Sequence, residues 1–68
     1  MTTTIELIKE VKSKINNRIY RVQKFALQGL DYYVIDTKTD LGYRVVESTY
    51  SEVEMNNMFS ILLNQELY

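Results

Sequence analysis

Tyrosines and basic residues lie close together in the first half of the chain, and this combination could bind nucleic acid. The chain has six tyrosines, and bases stack on aromatic rings while lysine and arginine contact phosphates. The residues that could act in this way are Arg18, Tyr20, Arg21, Lys24 and Tyr32. The formal net charge of -1 argues against this function, because nucleic-acid-binding domains usually carry a positive excess. Single-stranded nucleic-acid binding is therefore the alternative hypothesis.

The sequence does not indicate a catalytic site. It has neither histidine nor cysteine, so a nucleophile would have to be a serine, threonine or lysine activated by a carboxylate, and no local signature places such a pair together. Glu52 and Glu54 are two positions apart and would point to different sides of a helix. We therefore predict that the protein is not an enzyme and has no small-molecule substrate.

Metal and cofactor sites are not indicated either. Residues 36–40 resemble the start of a calcium-binding loop, but Lys38 stands where an oxygen ligand is needed and Leu41 stands where glycine is required. A turn is the better interpretation of this stretch. Neither glycine of the chain belongs to a glycine-rich phosphate-binding pattern. The sequence predicts no metal and no cofactor.

Contact with another protein is the function that the composition favours most. Apolar residues make up 46% of the chain, which is too short to bury them all. Tyrosine, methionine, phenylalanine and arginine are enriched at interfaces. The predicted contact residues are Tyr33, Ile35, Val46, Met58 and Phe59. Self-association as a homodimer is the simplest form of such a contact.

A β-sheet is predicted to carry most of these side chains. Residues 18–47 contain three runs rich in isoleucine, valine, tyrosine and phenylalanine, separated at Gln28-Gly29 and at residues 39–42. Glycine permits the positive φ that tight turns need. The clearest strand is 30–37, where apolar residues occupy both faces, as in a strand whose sheet is covered on both sides. We predict a three-stranded antiparallel meander.

The run at residues 18–27 has two interpretations. As a strand, it alternates between two faces of a sheet. As a helix, it extends the apolar face of the preceding segment and ends at Gly29. We prefer the strand, because a two-stranded ribbon alone is only marginally stable. The alternative architecture is a long N-terminal helix, one β-hairpin and a C-terminal helix.

Helices are predicted at both ends of the sheet. Thr3 and Glu6 have the spacing of a capping box, and apolar residues then recur at helical spacing from Ile8 to Ile15, before a pair of asparagines that would stop the helix. Ser51, with a glutamate three residues later, has the same spacing before an apolar run that extends to near the end of the sequence. The predicted fold class is α+β, with N- and C-terminal helices around the meander.

Residues 1–68 are predicted to form one small domain. No linker, repeat or low-complexity stretch divides the sequence. The start has no basic leader, and no run approaches the roughly 20 apolar residues of a membrane span. The absence of cysteine fits a reducing compartment. We therefore expect a cytoplasmic protein that does not contact membranes.

Three stretches of the sequence carry a resemblance to known proteins. They are residues 6–12 (ELIKEVK), 32–35 (YYVI) and 43–48 (YRVVES), the last of which runs into the acidic start of the predicted second helix. With the predicted order of helix, three strands and helix, the chain looks like the small accessory proteins of bacteriophages and prophages. Within that group it is loosely similar to a small Cas9-inhibiting anti-CRISPR type.

The resemblance implies a phage-encoded protein that binds a host factor in the host cytoplasm, such as a defence nuclease, and inhibits it. That anti-CRISPR type presents a dense acidic surface that imitates DNA. In the present chain the carboxylates are fewer and are offset by lysines. The resemblance therefore supports protein binding and leaves the target open.

Overall fold

The computed structural model describes residues 4–66, which form one antiparallel β-sheet with a helix on one side. The strands are β1 (Thr4–Lys12), β2 (Ile19–Leu27), β3 (Leu30–Thr39) and β4 (Gly42–Thr49), and the helix is α1 (Glu52–Leu63). The strands lie side by side in sequence order. The fold class is α+β, as predicted, but the meander has four strands instead of three.

The predicted N-terminal helix is wrong, because its residues form strand β1. The register between β1 and β2 shifts between Leu7 and Lys9, where a β-bulge admits one extra residue into β1. In a regular strand, residues on one face are two positions apart. The extra residue breaks this alternation, and Ile5, Ile8 and Val11 then follow one another at a spacing of three, which is typical of a helix.

Residues 18–27, for which the sequence allows either a strand or a helix, contain strand β2. This strand pairs with β1 on one side and with β3 on the other. The preference for a strand is therefore confirmed, and the alternative architecture with a long N-terminal helix is wrong. Thr3, the first residue of the predicted capping box, lies outside the described residues.

Two tight turns connect the last three strands at the positions of the glycines. Gln28 and Gly29 both have positive φ, 48° and 84°, as a type I′ hairpin turn requires. Gly42 has a φ of 119°. The Thr39 hydroxyl donates to the Gly42 carbonyl at 2.8 Å and accepts from the Leu41 amide at 3.2 Å. The sequence located both turns because each depends on local backbone requirements.

Helix α1 begins at the predicted serine cap. The Ser51 hydroxyl oxygen accepts a hydrogen bond from the Glu54 amide at 3.2 Å, which satisfies one of the free donors of the first turn. Glu52 and Glu54 lie in this turn, where the helix dipole favours negative charge. Nowhere in the described part of the chain is there a helix with the length and apolar character needed to cross a bilayer.

The loop between β1 and β2 fastens the C-terminal end of α1 to the sheet. The Ser13 hydroxyl donates to the Leu63 carbonyl at 2.5 Å. The Asn16 side-chain amide donates to the Leu62 and Gln65 carbonyls at 3.2 and 2.8 Å. The last carbonyls of a helix have no donor within the helix, so these contacts satisfy them. The asparagine pair, which the sequence predicts to end a helix, therefore lies in the β1–β2 loop, and Asn16 binds the C-terminal end of α1.

The hydrophobic core lies between α1 and one side of the sheet. Residues that alternate along a strand share a face, so the residues of the core cluster define this side, which we call the helix-covered face. Two core residues come from each of β2, β3 and α1: Tyr20, Val22, Tyr33, Ile35, Met55 and Phe59. The partly buried border consists of Val46, Met58, Leu62 and Leu63.

Candidate protein-binding surface

No described element packs over the side of the sheet opposite α1, which we call the open face. Residues that pair across neighbouring strands share a face, so the strand register identifies its members. Ile5 pairs with Phe25, which pairs with Tyr32. By the same register, the open face consists of Ile5, Leu7, Glu10, Lys12, Ile19, Arg21, Gln23, Phe25, Leu27, Leu30, Tyr32, Val34, Asp36, Lys38, Tyr43, Val45 and Ser48.

One end of the open face is apolar. We call it the apolar end, and it consists of Ile5, Leu7, Phe25, Leu27, Leu30, Tyr32 and Val34. Ile5 and Leu7 are 56% and 55% exposed. Tyr50, just after β4, extends the patch, because its ring centroid lies 4.8 Å from that of Tyr32. Exposed apolar area costs about 25 cal/mol per Å² relative to burial, so covering this end would be favourable.

The other end of the open face carries a network of charged and polar groups, which we call the polar end. Arg21 donates from Nε and Nη2 to the two carboxylate oxygens of Asp36 at 2.8 and 3.1 Å. The Arg21 guanidinium carbon lies 3.5 Å from the centre of the Tyr43 ring, a cation–π contact. The Tyr43 hydroxyl donates to Glu10 Oε2 at 2.9 Å. These four side chains connect all four strands on the open face.

The contacts of the polar end shift two pKa values upward. The hydrogen bond to Asp36 raises the pKa of Arg21 and outweighs the lowering caused by burial. The hydrogen bond to the Glu10 carboxylate raises the pKa of Tyr43, and burial raises it further. Near neutral pH, Arg21 is thus a cation and Tyr43 a neutral donor. Both have their partners within the chain, so the polar end does not depend on a counter-charge from another molecule.

Helix α1 covers the core residues of the helix-covered face. Lys9 Nζ donates to Asn56 Oδ1 at 3.2 Å and lies 4.6 Å from the centre of the Phe59 ring. The Tyr33 hydroxyl donates to Glu52 Oε2 at 3.2 Å. Burial, followed by this hydrogen bond, raises the pKa of Tyr33. A partner could reach the core residues of this side only by displacing the helix.

The predicted contact residues belong to the core or to its border. Tyr33, Ile35 and Phe59 are buried, and Val46 and Met58 are partly buried around them. Three of these five side chains are therefore inaccessible, and Val46 and Met58 are only partly exposed at the border of the core. Ile35 has no exposed area, so Ile35→Asp would place a charge in the core and unfold the domain. That substitution cannot serve as a test of an interface.

The residues of the nucleic-acid alternative are not brought together. Tyr20 is buried in the core, and Lys24 lies on the helix-covered face. Arg21 and Tyr32 share the open face but lie towards its opposite ends, and Arg18 precedes β2. Stacking of bases requires accessible rings beside a basic groove, and this set does not form such a surface.

Sequence reasoning names none of the apolar end as protein contacts, and it places two of these side chains, Ile5 and Leu7, in the predicted N-terminal helix. In strand β1 these two side chains point to the same side of the sheet. The signal in the sequence was the strict alternation of Ile5, Glu6 and Leu7. It extends over only three residues before the bulge, which is too short to outweigh the helical spacing that follows.

Among residues 4–66, no three histidine, cysteine, aspartate or glutamate side chains lie close enough together to hold a metal ion. Residues 36–39 are the end of β3, and Asp36 is bound to Arg21. The stretch that resembled a calcium loop is thus a strand that ends in a hairpin turn.

Comparisons with known proteins assign neither a family nor a function. No family model matches the chain, and no curated protein or solved structure matches it. The likeness to phage accessory proteins therefore stays a prediction from three short stretches of sequence.

Proposed function

We propose that this domain is a non-enzymatic protein whose open face binds another protein. One observation carries the proposal: large apolar side chains, including Ile5 and Leu7, are exposed on a side of the sheet that no described element covers. The water-facing side of an antiparallel sheet is normally polar. A contiguous exposed apolar patch on a small domain is typical of an association surface.

The composition of the open face supports this function. The apolar end contributes Phe25 and Tyr32, and the polar end contributes Arg21 and Tyr43. Aromatic residues and arginine are enriched at protein interfaces, and an apolar region bordered by polar groups is their usual anatomy. The internal pairing of Arg21 lowers the cost of covering it, because its hydrogen bonds to Asp36 would persist in a complex.

The resemblance to phage accessory proteins suggests a biological role for this binding. In that role the protein would inhibit a host factor, such as a defence nuclease, by contact. Imitation of DNA is not favoured, because the open face is largely apolar and carries Lys12, Arg21 and Lys38 beside its carboxylates.

Affinity capture with matched variants tests the proposed function. A tagged chain is produced in bacterial cells together with an untagged copy, and all retained proteins, including the untagged copy, are identified. Ile5→Asp places a carboxylate in the apolar end. Ile61→Asp makes the same change on α1, where Ile61 is 66% exposed and away from the open face.

We expect at least one protein to be retained by the wild-type chain and by Ile61→Asp, and to be lost with Ile5→Asp. Circular dichroism shows whether each variant is folded. The proposal is wrong if the wild-type chain retains nothing, or if the two folded variants retain the same proteins in the same amounts.

A further inference from the structure

We propose that the molecule covering the open face is a second copy of this chain, packed face to face so that the two sheets form a sandwich with one helix on each outer side. The inference rests on the proposed function and names its partner. Four features of the described residues support it: the edges of the sheet, its shape, its charge distribution and its area.

The edges of the sheet are poor sites for a partner. Each edge strand contains a bulge, because the register of β1 shifts between Leu7 and Lys9, and that of β4 shifts opposite Ile35 and Asp36. Bulges interrupt the row of backbone groups with which an added strand would pair. Lysines on an edge strand place charges beside that row and disfavour an added strand. A partner is therefore directed to the open face.

A second copy matches the open face in shape. β-Sheets share the same hand of twist, and two stacked sheets pack with their strands within about 30° of each other at a separation of about 10 Å. A copy of the same four-stranded sheet has the same width, strand length and twist. An unrelated partner would have to reproduce this curvature, whereas a second copy has it already.

The charge distribution of the open face also fits a copy of itself. The polar end has three cations, Lys12, Arg21 and Lys38, and two anions, Glu10 and Asp36, so it is close to neutral. The apolar end has no charged side chain. A two-fold axis that runs along the strands through the centre of the open face places the apolar end of one copy on the apolar end of the other and covers the whole face. It also leaves the Arg21–Asp36 pair and the other charges of the polar end towards one border, where interfaces are normally polar.

The open face is large enough for a stable dimer. Its central strands have nine and ten residues. With strands about 4.8 Å apart and a rise of about 3.3 Å per residue, the face measures roughly 20 by 30 Å in projection. Side chains make this surface uneven, so its accessible area is larger than its projected area. It approaches the roughly 800 Å² per partner of a standard interface.

Sedimentation equilibrium of the purified chain tests the inference. We expect the average mass of the wild-type protein to rise from one chain to two with increasing concentration. Ile5→Asp should weaken the dimer by at least about tenfold, because each dimer carries the substitution twice at an apolar contact. The matched Ile61→Asp should leave the dissociation constant unchanged.

A second variant keeps the test decisive if Ile5→Asp does not fold. Ile5→Thr retains a β-branched side chain that suits a strand but replaces the ethyl group by a hydroxyl, and it should also weaken the dimer. The inference is overturned if the wild-type chain stays a single chain at every concentration. Equal weakening by Ile61→Asp and by the Ile5 variants overturns it too.

The two experiments distinguish failure of the inference from failure of the proposed function. If the purified chain stays monomeric while a bacterial protein is captured and is lost with Ile5→Asp, the open face binds a foreign protein and not a second copy. If the chain neither dimerises nor captures any protein, both proposals are wrong. If the purified wild-type chain dimerises and Ile5→Asp alone disrupts the dimer, both are supported.

Discussion

At the residue scale, Arg21 explains why a buried carboxylate is stable on a face that no described element covers. Asp36 is 4% exposed, and both of its oxygens accept bonds from the guanidinium. The Tyr43 ring lies against the same guanidinium. A buried charge without a partner is costly, so Asp36 depends on Arg21. Through these three side chains, β2, β3 and β4 are cross-linked on the open face.

This dependence predicts a strong coupling between Arg21 and Asp36. Arg21→Met should lower the free energy of unfolding by about 2 kcal/mol, because it leaves Asp36 buried without its cation. The loss should be smaller than for a fully buried pair, since the Arg21 side chain is 25% exposed. The double variant Arg21→Met, Asp36→Leu should lose less than Arg21→Met alone, as urea denaturation would measure. The coupling is ruled out if the double variant loses as much free energy of unfolding as the single variants Arg21→Met and Asp36→Leu lose together.

Ionisation of Tyr43 should lower the free energy of unfolding at alkaline pH. Its raised pKa means that the folded chain holds the phenolic proton more tightly than the unfolded chain does. Tyr43 therefore stabilises the fold below its usual pKa of about 10, and this contribution is lost as the pH rises through the folded-state pKa. We expect the free energy of unfolding to fall above about pH 10, and to fall less steeply in Tyr43→Phe.

Spectrophotometric titration of tyrosine ionisation provides a direct check. The wild-type curve minus the Tyr43→Phe curve should have its midpoint above the usual tyrosine value. The pKa values of Tyr33 and Lys24 are also raised, so their loss of a proton lowers the stability in the same pH range. The free energy of unfolding of Tyr43→Phe should therefore still fall at alkaline pH, but by less than that of the wild-type chain. A midpoint at or below the usual value would contradict the role assigned to the Glu10 hydrogen bond.

At the scale of elements, α1 depends on short polar side chains at both of its ends. Ser51 caps the first turn, and Ser13 and Asn16 bind carbonyls of the last turn and the residues after it. The helix has 12 residues, a length at which an isolated helix is marginal in water. Packing of Met55 and Phe59 onto the sheet supplies the remaining stability. The β1–β2 loop thus helps to determine which side of the sheet the helix covers.

The N-terminal cap gives a prediction with a matched control. Ser51→Ala should lower the free energy of unfolding by about 1 kcal/mol, because the Glu54 amide loses its acceptor. Ser60→Ala changes an exposed serine inside the same helix and should be neutral or slightly stabilising, since alanine is the better helix former. Chemical denaturation of both variants provides the comparison. Equal effects would show that the Ser51 bond contributes nothing.

At the scale of the whole molecule, stability is limited by the small core. Six buried side chains form the described cluster, and a chain of this length buries only about 60% of its unfolded surface. Small domains without disulfides or metals have little stability in reserve. Covering the apolar end with a second copy would bury apolar side chains such as Ile5 and Leu7 that the chain leaves exposed, so folding and association should be linked.

This linkage predicts that the thermal midpoint depends on protein concentration. In a dimer, mass action raises the midpoint as the concentration increases. We expect this rise for the wild-type chain and for Ile61→Asp, and a much smaller rise for Ile5→Asp. Calorimetry over a series of concentrations would measure it. A midpoint for the wild-type chain that does not change with concentration would exclude stabilisation by association.

Much of the sheet and the start of α1 could be predicted from the sequence, because these features depend on neighbouring residues. Alternation and β-branched residues identified strands in the regions of β2, β3 and β4. Gln28-Gly29 and Gly42 marked the turns because their backbone angles suit glycine and few other residues. Ser51 marked the start of the helix because its side chain bonds an amide only three residues away.

Strand β1 and the identity of the open face were decided by the tertiary structure. The bulge after Leu7 gives β1 a helical spacing of apolar residues, and only pairing with β2 makes this segment a strand. Strand β3 carries apolar residues on both faces, so its pattern does not indicate which side α1 will cover. Hydrophobic burial has no preferred direction. The choice of side depends on distant contacts, among them those of Ser13 and Asn16 with the end of α1, which the order of residues along the chain does not reveal.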